Sequence, residues 1–161
     1  MNETRRAVRV MAWGMVALPA LLLLLYIVLH RVNGPTWDYT TLAEVFDKWH
    51  HGTFTLSFLF RQHNEHRIAV PRLVILALGE LTRWDNRTEM IAHWWLMCAI
   101  TVLLFRSLRI ELGGAVTSTE RLLLFVPIAL LSLSPRSQQA FMGFGFPHYL
   151  MILFFLAALQ L

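Results

Sequence analysis

Cysteine is almost absent from this chain, with Cys98 alone among 161 residues. A single thiol excludes a disulfide framework and a cysteine-built metal centre, and it leaves the redox compartment open. Charge is scarce as well. Asp, Glu, Lys and Arg make up 15% of the chain, where soluble domains run at about 25%. Hydrophobic residues reach 57% and mean hydropathy is +0.53. A soluble domain of this length has an interior, but not one able to hide this many Leu, Phe and Trp. The excess calls for lipid. The net charge of +4 comes from basic residues that flank apolar runs without gathering on one face. Membrane topology accounts for them, and no nucleic-acid partner is expected.

What is present is apolar runs, separated by one long polar stretch. Arg5, Arg6 and Arg9 precede 19 uncharged residues from Met11 to Leu29. At about 1.5 Å per residue that run is long enough for a membrane span. A cleaved signal peptide is the rival reading, but no small-x-small cleavage site follows. The basic start keeps the N-terminus in the cytoplasm, which fits a bacterial inner membrane. Asn33-Gly34-Pro35 then breaks the helix. Thr36 to Trp49 suits an amphipathic helix in the interface plane, with Leu42, Val45, Phe46 and Trp49 on one side. Ile68 to Leu81 is interrupted by Pro71-Arg72 and Glu80. Charges at depth cost about 2.5 kcal/mol or more each, so this reads as an interfacial or re-entrant helix, with a short span as the alternative.

Trp84 to Glu89 reads as a polar turn. Further spans are expected at about 90–105, 122–134 and 149–161, giving an all-α integral membrane protein, a multi-span bundle with an outer loop of about 31–89. The last apolar segment stops 13 residues in, so the chain reads as truncated inside a span.

Nearly all groups able to do chemistry lie between Trp37 and Trp84. Asp38 opens the amphipathic helix, either as an N-terminal cap or as a functional carboxylate. Glu65 sits between His63 and His66, where an idle carboxylate gains little. The two histidines are three apart and share a helical face, so they suit either a divalent metal or headgroup hydrogen bonds. Arg61, Arg67 and Arg72 surround this motif, and guanidinium forks bind phosphate, whether of a lipid headgroup or of a lipid-linked substrate. Gln138, Gln139 and Gly143-Phe144-Gly145-Phe146 mark a second outer loop, suited to stacking on a sugar or to an aromatic belt. His93 reads as a core or interhelical histidine. Asn86-Arg87-Thr88 has the form of a glycosylation sequon.

The order of these features resembles the N-terminal part of GT-C-type membrane glycosyltransferases, such as aminoarabinose and protein mannosyl transferases. Their loop often opens with Asp-Glu and then Tyr-Ala-Glu, and Asp38-Tyr39-Thr40-Thr41-Leu42-Ala43-Glu44-Val45 matches the Asp and the Ala-Glu. Their later Glu-Lys-Pro-Pro is echoed by Glu65-His66-Arg67 and Pro71. Tyr39 stands where the second acid would be and the Pro-Pro pair is absent, which leaves metal use and the identity of the base open. The resemblance implies a polyprenyl-phosphate-linked sugar as donor and Asp38 as catalytic base. It also implies arginines on the leaving phosphate. One rival, a lipid-phosphate-binding transporter, calls for charge deep within the spans, and the expected spans carry none; another is a structural subunit with an ordered outer loop.

Overall fold

The computed structural model describes residues 3–34, 39–62, 67–134 and 146–160. Among them the regular structure is entirely helical: α1 (Glu3–His30), α2 (Tyr39–His50), α3 (Leu56–Leu59), α4 (Ala69–Thr82), α5 (Asn86–Leu112), α6 (Ser118–Ser132) and α7 (Phe146–Ala158).

Two helices, α1 and α5, are long and apolar enough to cross a membrane. Their 28 and 27 residues extend about 40 Å each, more than a hydrocarbon core of about 30 Å. Only 22% and 28% of their most apolar windows is buried, whereas the core helix of a soluble domain hides most of its length. Leu18, Leu21, Leu22, Leu25 and Leu29 of α1 stay about half exposed or more. The other helices are shorter. α4, α6 and α7 hold 14, 15 and 13 residues, about 20 Å each, so none reaches that span by length alone.

Side-chain ties fix how the helices run. Trp13 of α1 meets Phe105 of α5, Trp94 Nε1 donates to the Ala20 carbonyl at 2.9 Å, and Asn33 Oδ1 accepts from the Asn86 amide at 3.2 Å. The residue numbers rise along α1 as they fall along α5, so the pair is antiparallel. α6 turns back along α5, through Phe125 against Phe105 and Ser132 hydrogen-bonded with Thr101. α7 runs parallel to α5, with Tyr149 against His93 near its start and Gln160 Nε2 donating to Leu103 O and Ser107 Oγ near its end. Leu23, Ile27, Met90, Met97 and Leu133 close the centre of this layer.

The segment between α1 and α5 folds as its own small packed unit. Leu42, Val45 and Phe46 of α2 bury against Phe58, Ile75 and Leu76, so protein covers the apolar face of α2. Trp49, expected on that face, is 48% exposed and rests edge-on to Phe54. The His50 imidazole pairs with Glu80 at 3.0 Å, joining α2 to α4. Ala92, Leu96 and Leu150 dock the unit onto α5 and α7.

Two expected boundaries move. α1 starts at Glu3, because Arg5, Arg6 and Arg9 join the helix ahead of the apolar run. α5 starts at Asn86, capped by the Asp85 carboxylate on the Arg87 amide, so the expected turn up to Glu89 is in part the first helical turn.

Candidate functional site

Six of the residues singled out from sequence, Asp38, His63, Glu65, His66, Gln138 and Gln139, lie outside the described residues. The three arginines around the histidine motif are described, and they have parted roles. Arg61 forks onto Glu44, Nη1 to Oε1 at 3.1 Å and Nη2 to Oε2 at 2.7 Å, which ties the end of α3 to α2. Arg67 is exposed.

Arg72 turns inward. It is 5% exposed, and its Nη1 donates to the carbonyls of Phe58, Leu59 and Arg61 at 3.3, 2.8 and 2.5 Å. These carbonyls lie at and just past the end of α3, where the helix stops supplying partners; the Phe58 carbonyl also accepts from the Arg61 N–H, and the guanidinium caps the set. Burial first, and then the charge of Arg61, push Arg72 below the ordinary arginine range, while Glu44 opposes the shift. Arg72, expected on a lipid phosphate, here bonds to backbone, because a cation on this face of α4 meets carbonyls before it meets solvent. The clamp fixes residues 58–61, the stretch that leads into the His63–His66 motif. Lys48, Arg61 and Arg72 all lie within 6 Å of the Phe58 ring centroid, a position suited to cations.

A second polar group lies on the inward face of α5. Asn86 is 3% exposed, and Glu89 and His93 are completely buried. Their spacing, Asn86-x-x-Glu89-x-x-x-His93, puts all three on one side of the helix, with Met90 and Met97. Tyr149 of α7 meets the His93 ring edge-on, with centroids 4.3 Å apart. His93 is the buried interhelical histidine that the sequence implied. Glu89 was missed. Its signal was the four-residue step to His93, hidden by a polar neighbourhood that resembled a turn. The sequon reading of Asn86 is overturned by its burial, since a glycan acceptor must reach solvent.

Asp85 beside this helix start is held below the ordinary carboxylate range by hydrogen bonds from the Arg87 side chain, with its backbone N–H and charge adding. Among the described residues no group of three or more His, Cys, Asp and Glu gathers as a metal site. The divalent-metal alternative rested on His63 and His66, outside that set, with His50, His51 or Asp38 to complete the shell; His50 is paired with Glu80 and His51 with Asp47. Comparison with known protein families, with curated proteins and with solved structures finds no match to this chain.

Proposed function

We propose that this chain is a membrane glycosyltransferase of the GT-C type, or a part of one. On this reading it takes a sugar from a polyprenyl-phosphate donor at the outer face of a bacterial inner membrane, with its N-terminus in the cytoplasm. The observation that carries the reading is the packed unit between the two long apolar helices. A long outer loop with an amphipathic helix and a Pro-containing apolar helix is the layout the resemblance implies, and here that loop packs as a unit on α5 and α7. Within it the Arg61–Glu44 fork and the Arg72 clamp brace the approach to Glu65. Asp38 is the base that takes the proton of the acceptor hydroxyl or amine, with Glu65 as the second catalytic carboxylate. Arg61 and Arg67 remain the arginines for the leaving phosphate.

Asp38→Asn, assayed in membranes holding the full-length protein and a labelled polyprenyl-phosphate sugar, is expected to slow transfer by about 100-fold or more. Transfer at the unmodified rate would remove Asp38 from the mechanism.

One observation favours the rival reading of a lipid-phosphate-binding transporter. Glu89 and His93 are ionisable groups buried in a helix long enough to span, as that class requires. Loss of lipid export in an Asp38→Asn strain that still transfers sugar would favour the transporter.

A further inference from the structure

We infer that Glu89 and His93 form a one-proton site, loaded and emptied from the end of the bundle where α1 stops. Both side chains are fully buried, one helical turn apart on the same face of α5. Glu89 lies in the first turn of α5, where the helix dipole favours a carboxylate, and His93 lies one turn deeper, inside the apolar run. Around them the same face is filled by Asn86, Met90, Met97, Ile100 and Thr101. Buried ionisable groups in such helices mark proton and ion paths. A carboxyl and an imidazole that interact strongly titrate as a pair, and on this inference one proton belongs to both.

The entrance is polar and the far side is not. Asn86 lies one turn nearer the helix start, and its buried Oδ1 has no hydrogen-bond partner among the described residues. Ordered water normally satisfies a buried amide oxygen of this kind. The backbone N–H of Asn86 donates to Oδ1 of the exposed Asn33, so Asn33 and Asn86 are the polar groups between solvent and the pair. Beyond His93 the face becomes Met97 and Ile100, and the next polar group, Thr101, is bonded to the Met97 carbonyl and to Ser132. The site therefore opens to one end only. That suits accepting a proton released at this end better than passing one through.

The transfer is simple in its balance. A hydroxyl or hydronium ion at the entrance loses its O–H bond, keeps the electron pair on oxygen, and a new bond to hydrogen forms on the pair. The titratable and charged groups around it, among the described residues, are few. α7 brings Tyr149 and the exposed His148, the end of α1 brings the exposed His30 and Arg31, and α4 with its cap brings the exposed Glu80 and Arg83. α6 brings none to this end, and α5 with its cap carries Asp85, Arg87 and, between one and two turns beyond His93, the half-buried Cys98. The inference stands apart from the sugar-transfer reading, in which Asp38 takes the acceptor's proton.

The test is pH-difference infrared spectroscopy on the purified full-length chain in lipid nanodiscs. A carboxyl signal and a histidine ring signal that change together over one pH interval are expected. Glu89→Gln should remove the carboxyl part, and His93→Gln should shift what remains. A carboxyl signal that persists in Glu89→Gln, or that ignores His93→Gln, overturns the inference. Should the variants not fold, the unmodified chain with nitrogen-labelled histidine decides: a ring signal moving independently of the carboxyl overturns the pair. Asp38→Asn should leave the coupled signal intact, which separates failure here from failure of the sugar-transfer reading.

Discussion

Gly79 is where α2 and α4 come closest. A Cβ added there would overlap the ring of Phe46, which is itself stacked on Trp84 with centroids 4.1 Å apart. The ring cannot back away, because Trp84 covers its other side. Trp84 is in turn fixed by its amide on the Gly79 carbonyl at 2.8 Å and adopts a φ of +57°, following Arg83 at +54°. Such a left-handed pair costs roughly 1–2 kcal/mol per residue, and the packing must outweigh it. Gly79→Ala is therefore expected to cost about 1–3 kcal/mol through overpacking. Thermal unfolding of the detergent-solubilised chain measures it. Adding Phe46→Leu should recover part of the loss, and strict additivity of the two changes would show that they do not touch. The same scale shows why the arginines were only half legible. That Arg72 is expensive on an apolar helix follows from its neighbours in sequence. That its partners are the carbonyls of Phe58, Leu59 and Arg61 depends on how α3 ends, and nothing local to Arg72 encodes that.

Helix starts carry most of what was readable at the next scale, and most of what was not. Leu42, Val45 and Phe46 share one face by spacing alone, and that face is buried. The start of α5 was obscured, because five polar residues from Asp85 to Glu89 resemble a turn as closely as they resemble a capped first turn. Burial of Asn86 and Glu89 comes from the helices packed around them, which no local pattern reports. α6 starts on firmer chemistry. Thr117 and Glu120 form a reciprocal capping box, with the Thr117 amide donating to Glu120 Oε2 at 2.7 Å and the Glu120 amide to Thr117 Oγ1 at 3.3 Å. The Thr117 amide holds the Glu120 carboxyl below its ordinary 4.5, with the Thr117 side chain adding. A carboxyl depressed in the folded state stabilises the helix above its ordinary value, and the contribution is lost as pH falls through the folded value. Normalised amide protection over the first turn of α6 is therefore expected to drop as pH falls below 4.5. Glu120→Gln should flatten that dependence, and an unchanged slope in the variant would assign it to another group.

For the whole molecule, the direction of each helix sorts the chain into two ends. The end of α1, the starts of α5 and α7 and the α2–α4 unit lie together, because Asn33 holds Asn86 and Tyr149 sits on His93. The turn at Gly113-Gly114, pinned by Arg121 Nη2 on the Gly113 carbonyl, lies at the other. Arg5, Arg6, Arg9, Arg106, Arg109 and Arg121 gather at that second end in short segments, and on the proposed reading the positive-inside rule puts that end in the cytoplasm. If α1 and α5 cross the membrane, the two ends face different compartments. α6 and α7 are each too short to span straight, so their placement follows from packing against α5. The prediction uses exposed sites in a Cys98→Ser background: Val32→Cys, Arg87→Cys, His148→Cys and Gly114→Cys, labelled in intact cells with a membrane-impermeant maleimide. The first three are expected to label, and Gly114→Cys only after permeabilisation. If Gly114→Cys labels alongside the others, α5 does not cross. If His148→Cys instead behaves like Gly114→Cys, the start of α7 lies away from His93, and the buried pair loses the wall that Tyr149 supplies.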